Sequence, residues 1–152
     1  MLPIGSSAPD LTLPDHEGRP FRLADAWRTA HMVLFFYPKA YTAVCTQEAC
    51  AFRDALADVE ARHAIIIGIS RDDVTTQQSF RKAYRLPFVL LSDAEGKAAQ
   101  AYGARAFFGL VSGRVTYVIE RGGIIRGAYS AMMQAEAHVQ QALRTLEGQG
   151  SV

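Results

Sequence analysis

Cysteine is nearly absent. The chain of 152 residues contains two, Cys45 and Cys50, five positions apart. A small secreted scaffold held by disulfides normally carries more of them. A structural zinc site needs four ligands in paired spacings, and no second cysteine cluster exists. His16, His31, His63 and His138 are scattered, so no metal or other cofactor is expected. A dominant charge is missing too. Sixteen basic side chains stand against fifteen acidic ones, for a net charge of +1. That balance argues against nucleic acid or an anionic membrane as the main partner. Long hydrophobic runs are also lacking. The longest, Met32–Tyr37 and Ala64–Ile69, fall far below the roughly 20 residues a spanning helix needs. The opening Met1-Leu2-Pro3-Ile4-Gly5-Ser6 has no basic and no extended apolar region of the secretory kind, and a cytoplasmic location is expected.

What remains has the composition of a soluble globular protein, 49% hydrophobic and 20% charged. One domain over residues 1–152 is expected, since domains commonly run about 100–200 residues. A chain of that length buries roughly two-thirds of its unfolded surface and needs no disulfide for stability. The two cysteines therefore require a chemical explanation.

The order of elements is legible from periodicity. Leu11–Leu13 and Pro20–Leu23 read as short strands, with Asp15–Gly18 as the turn of a hairpin. Met32–Tyr37 is an apolar, aromatic-rich run, expected as a strand buried on both faces and ended by Pro38. Thr42–Arg62 has helical spacing, with Cys45, Ala49, Phe52, Leu56 and Val59 near one face. Ala64–Ser70 is a second buried strand rich in β-branched residues. Thr75–Tyr84 predicts a helix and Pro87–Leu91 a short strand. Ser92 or Asp93 is placed to cap a further helix running to about Tyr102. Arg114–Ile119 alternates, with Val115, Tyr117 and Ile119 on one face and Arg114, Thr116 and Val118 on the other. Arg121-Gly122-Gly123 turns the chain into a strand over Ile124–Tyr129. Gln134–Leu146 is an amphipathic helix, followed by a frayed tail from Gly148. This order gives an α/β fold of thioredoxin type: a mixed central sheet flanked by helices, with an N-terminal β-hairpin extension.

Cys45 falls where a buried strand has ended and a helix begins. Unpaired backbone N–H groups of a first helical turn carry partial positive charge and favour a thiolate, the nucleophilic form. Lys39 and Arg114 are the candidate cations. A thiolate attacking a peroxide bond puts negative charge on the leaving oxygen, which nearby donors stabilise. The Thr42 hydroxyl and the N–H groups of Val44 and Cys45 are candidates, and Pro38 is placed to shield the sulfur. The product, a sulfenic acid, condenses readily with a thiol. Five residues along an ideal helix separate two Cα atoms by roughly 8–9 Å. A disulfide needs about 4.4–6.8 Å. A Cys45–Cys50 bond therefore requires the start of the helix to melt, from about Val44 to Phe52. Plainer readings stand beside these. Cys50 also fits a buried core position, Thr42 a helix N-cap, Arg114 a strand-surface residue, and Glu48 a complement to the helix dipole. Arg53 and Asp54 read as a solvated face, and His31 and His138 as structural or exposed.

Pro38-Lys39-Ala40-Tyr41-Thr42-Ala43-Val44-Cys45 resembles the Pro-x-x-x-Thr-x-x-Cys signature of the peroxiredoxin family. The continuation through Thr46-Gln47-Glu48-Ala49-Cys50 is similar to the Q-type, or bacterioferritin-comigratory-protein, branch, and Gly113–Ile119 resembles its arginine-bearing strand. The resemblance implies a thiol peroxidase acting on hydrogen peroxide and organic hydroperoxides. Cys45 would be the peroxidatic cysteine and Cys50 the resolving one. Pro38, Thr42 and Arg114 would complete the site, with Glu48 helping to hold the arginine. It implies re-reduction by thioredoxin or a similar dithiol, no metal, haem or flavin, and a monomer or weak homodimer. Two departures stand out. Ala43 occupies the place of the usual proline, leaving the helix entry less pre-set. The segment Arg105–Val111 is unusually apolar, suited to a hydroperoxide pocket or a dimer contact. Competing functions are a thiol–disulfide oxidoreductase, although the spacing is longer than Cys-x-x-Cys, a peroxide-sensing redox relay, and a binding module with inert thiols.

Overall fold

The computed structural model describes residues 1–106, 111–112, 114–130 and 135–148. The chain opens with an antiparallel hairpin, β1 (Thr12–Pro14) and β2 (Pro20–Arg22), closed by the Asp15 carboxylate, which accepts from the backbone N–H of Glu17 and Arg19. A short helix α1 (Leu23–Trp27) follows at once. Leu23 thus begins a helix rather than ending a strand. Its five residues are too few to show a helical period, and its two buried residues, Leu23 and Trp27, lie one turn apart.

The central sheet has five strands in the order β5-β4-β3-β8-β9. The first three in that order are β5 (Val89–Ser92), β4 (Ala64–Ser70) and β3 (His31–Phe36), which run parallel. β8 (Val115–Glu120) and β9 (Ile124–Tyr129) add antiparallel strands beyond β3. β3 is buried along its whole length, as a strand covered on both faces requires. A separate small sheet pairs β6 (Arg105–Ala106) with β7 (Val111–Ser112). The apolar segment anticipated over Arg105–Val111 lies largely outside the described residues, at 107–110.

Alternation along β3 divides the core in two. Val33, Phe35 and Tyr37 face α2 (Ala43–Asp54), α3 (Leu56–Ala61), α4 (Val74–Ala83) and α6 (Ala135–Gly148). Met32, Leu34 and Phe36 face α1 and α5 (Lys97–Ala101). Val139, Leu143 and Leu146 of α6 face inward, as the periodicity predicts, together with Ala142 and His138. Gly148, expected to begin a frayed tail, instead closes α6, and residues 149–152 lie outside those described.

The helix expected over Thr42–Arg62 is two helices. Ala55, at φ −92° and ψ 1°, breaks it and serves both as the C-cap of α2 and the N-cap of α3. Neither proline nor glycine marks the break in sequence. Phe52 stacks on Phe35 at a centroid distance of 4.8 Å and Val59 is fully buried, so each piece satisfies its own packing. Of the two residues expected to cap α5, Asp93 rather than Ser92 tethers it, accepting from the N–H of Ala98 and Ala99 at 3.0 Å, while Gly96 (φ 74°) occupies the N-cap position. Ser92 instead donates to the carbonyl of Asp72.

Candidate active site

Cys45 is wholly buried in the first turn of α2, directly beyond the end of β3. Thr42 is the N-cap residue, with extended backbone (φ −75°, ψ 151°). The first intrahelical bond runs from the N–H of Thr46 to the carbonyl of Thr42, so Ala43, Val44 and Cys45 present the open N–H end of the helix. Arg114, immediately before β8, donates from Nη2 to Cys45 Sγ at 3.4 Å. The cation on the sulfur is therefore Arg114. Lys39 is exposed and offers its backbone carbonyl to the Thr42 hydroxyl at 2.8 Å. That bond corrects the plain capping reading of Thr42, whose side chain accepts no N–H of the helix. The hydroxyl instead closes the Lys39–Thr42 turn. Pro38, half-buried, lies between Tyr37 at the end of β3 and this turn.

Cys50 lies in the same helix and is half-buried; both thiols are free. α2 is continuous between them, and ideal helix geometry holds their Cα atoms roughly 8–9 Å apart. Arg53, read as part of a solvated face, donates from Nη1 to the carbonyl of Tyr84 at 2.7 Å while also pairing with Asp54.

Glu48 faces inward one turn beyond Cys45 and is completely buried. Among the described residues no group donates a hydrogen bond to either carboxyl oxygen. Burial pushes its pKa up to about 8, against the opposing charge of Arg114. The two act on one another through charge, with no hydrogen bond between them among the described residues. Behind Glu48 stands a residue that sequence reasoning set aside. His138 of α6 is wholly buried, with Nδ1 3.8 Å from Glu48 Oε2. Its Nε2 lies 2.8 Å from the carbonyl of Ser130, so Nε2 carries the proton and Nδ1 accepts from the Thr116 hydroxyl, also at 2.8 Å. Burial holds the His138 pKa below its ordinary value, with Arg114 acting the same way and the Ser130 bond opposing. The imidazole is thus neutral, and its approach to Glu48 is a polar contact rather than an ion pair. Thr116 shares a strand face with Arg114, which was visible in the alternation. The arrival of His138 on that face was not.

The AhpC/TSA family profile matches residues 4–128. The chain belongs to that family. Among its curated AhpC/TSA relatives, Peroxiredoxin Q, chloroplastic, of Oryza sativa subsp. japonica is 40% identical over 144 residues, covering 94% of this chain and 66% of that protein. The chain thus spans about two-thirds of the rice protein's length. Peroxiredoxin Q, chloroplastic, of Sedum lineare is 38% identical, covering 94% of this chain and 77% of the relative. Among solved structures, the peroxidoxin BcpB of Mycobacterium tuberculosis superposes with a TM-score of 0.92 at 37% identity, covering 97% of this chain and 98% of that one. The bacterioferritin comigratory protein of Xanthomonas campestris, studied for its alkyl peroxide reduction activity, gives a TM-score of 0.83 at 26% identity, covering 91% and 90%. These findings bear out both the peroxiredoxin Q resemblance and the thioredoxin-like architecture. In these AhpC/TSA terms, the strand-to-helix junction carrying Cys45 lies within the matched region.

Proposed function

We propose that this protein is a thiol-dependent peroxidase, in which Cys45 reduces the hydroperoxide and Cys50 resolves the oxidised sulfur. The observation that carries the reading is the Arg114 guanidinium 3.4 Å from a buried sulfur at the open end of α2. The Cys45 thiolate attacks the terminal oxygen of ROOH. A sulfur–oxygen bond forms, the O–O bond breaks, and the alkoxide or hydroxide leaves to take a proton from solvent. Arg114 and the first-turn N–H groups stabilise charge on the oxygens as that bond breaks. Arginine suits this position because its fork of donors keeps its charge.

The sulfenic acid is then attacked by the Cys50 thiolate. A disulfide forms and hydroxide departs, taking up a proton as water. Since α2 separates the two sulfurs' backbones beyond disulfide reach, this step runs through a state in which the first turns of α2 are melted. A dithiol of the thioredoxin class returns both thiols by exchange. Hydrogen peroxide and organic hydroperoxides are the proposed substrates, and a reducing cytoplasmic setting and a monomer or weak homodimer are proposed with them. Pro38 and the Thr42-closed turn hold the approach to the sulfur, and Glu48 tunes the field around Arg114. No metal or bound cofactor enters the scheme.

The test is peroxide consumption coupled to thioredoxin. The wild-type chain is expected to turn over and Cys45→Ser to be inactive. Turnover by Cys45→Ser, or insulin-type disulfide reduction without peroxide consumption by the wild type, would overturn the proposal in favour of a disulfide oxidoreductase.

A further inference from the structure

The loop that delivers Thr42 and Cys45 lacks two common means of fixing a helix entry. Thr42 gives no side-chain cap, and Ala43 at the first helical position lacks the φ lock a proline would supply there. Inside the Lys39–Thr42 turn, one residue before the N-cap, Tyr41 is in a conformation that bulky side chains avoid, with φ 67°. Such a backbone persists only where its surroundings over-determine it. Those surroundings are α4 and the residues that flank it. The Tyr41 hydroxyl is hydrogen-bonded to Ser79 Oγ. Its ring lies 5.3 Å from Phe80, tilted 64° in an edge-to-face contact, and 6.1 Å from Tyr84. Phe80 and Tyr84 meet each other at 5.4 Å, so the three rings form one cluster. One residue earlier, the Ala40 N–H donates to Asp72 Oδ2 at 2.8 Å.

α4 is a firm platform for this contact. Asp73 caps it through the Thr76 N–H at 2.8 Å. Gln77, fully buried, donates to Ser70 Oγ and to the carbonyl of Leu91, and accepts from the Tyr37 hydroxyl. None of these groups belongs to α2. The pin therefore stays in place when the cysteine-bearing turns of α2 come apart.

We propose that Tyr41 is a positioning residue for the peroxidatic sulfur: clamped on Ser79, Phe80 and Tyr84, it sets where α2 begins and so holds Thr42 and Cys45 against Arg114. It does the work of the absent cap and proline, and it marks the fixed boundary of the segment that melts. Tyr41 as a whole stays 46% exposed while its hydroxyl and ring make these contacts. This inference rests on Cys45 being the reactive sulfur.

The experiment measures two rates separately by rapid quench and intact mass: sulfur oxidation by peroxide, and the later closure to the disulfide. Tyr41→Ala is expected to slow oxidation roughly tenfold, because a small misplacement of the reacting sulfur is costly in rate, while closure is as fast or faster. Adding Ala43→Pro to Tyr41→Ala should restore most of the oxidation rate, since the ring re-imposes the helix-entry φ. A residue that served stability alone would slow both steps together and gain nothing from the proline. Ser79→Ala, on the surface of α4, removes the hydroxyl partner without altering the loop sequence; it should slow oxidation a few-fold and keeps the test decisive if Tyr41→Ala does not fold. An oxidation rate within twofold of wild type in both single variants overturns the proposal, and so does a loss that Ala43→Pro leaves untouched. An absence of Cys45-dependent oxidation in the wild type would instead overturn the peroxidase reading itself.

Discussion

Glu48 should act as a pH-dependent spring in the helix that must melt. In the folded helix it is buried with no hydrogen-bond donor among the described residues, and its pKa stands at about 8, against 4.5 for the group in water. When the first turns of α2 melt, the carboxyl returns to solvent. Because the folded value lies above the unfolded one, the folded helix binds the proton more tightly. Its full stability is present below pH 4.5 and is lost as pH rises towards about 8. At 1.36 kcal/mol per pKa unit, ionisation favours the melted helix by about 1 kcal/mol near pH 5 and about 3 kcal/mol near pH 7. The melted population should therefore rise roughly 50- to 100-fold over that interval. Arg114 opposes the effect and is already included in the raised value. The assay is amide hydrogen exchange of the α2 peptides, corrected for intrinsic rates, from pH 5 to 8 in the reduced protein. Wild type should lose protection steeply with pH, and Glu48→Gln should lose little. Parallel profiles in the two proteins would refute the reasoning.

Three further outcomes follow from the same geometry. Arg114→Ala should slow the second-order reaction of Cys45 with peroxide by roughly 10²-fold, read by stopped flow, because it removes a charged donor from the transition state. Cys50→Ser should leave that first oxidation intact and impair recycling by thioredoxin, so a normal steady-state rate would remove Cys50 from the cycle. Gly123→Ala should destabilise the fold by about 2 kcal/mol in urea denaturation, because the added Cβ meets a positive φ and the Trp27 indole. At Gly123 that φ is 96°, and the Cβ would lie 2.8 Å from Trp27 Nε1.

The parts of the fold that were legible are those fixed by near-range pattern. Ala64–Ser70 and Ile124–Tyr129 coincide with β4 and β9 because β-branched runs bounded by turn residues admit one reading. The alternation of Arg114, Thr116 and Val118 was enough to put Arg114 and Thr116 on one face. What was not legible depends on contacts distant in sequence. The break at Ala55 carries no local signal, since alanine is the best helix former and only the separate packing of Phe52 and Val59 ends the helix there. His138 is one polar residue on an amphipathic helix, and its place beside Glu48 is set by how α6 docks on the sheet. Tyr41 has an ordinary side chain in an unusual backbone, visible only once α4 is in position. The site was read through Cys45, Cys50, Thr42 and Arg114, while the residues that hold those four in place came from the packing.

The central claim is that Cys45 and Cys50 form one redox couple through a melted α2. Intact-mass analysis of the reduced protein after one equivalent of peroxide tests it most directly. The account predicts a monomer lighter by two hydrogens, with a peptide map joining Cys45 to Cys50. A persistent single-oxygen adduct on Cys45, or a dimer linked between chains with no loss of hydrogen within one, would contradict it.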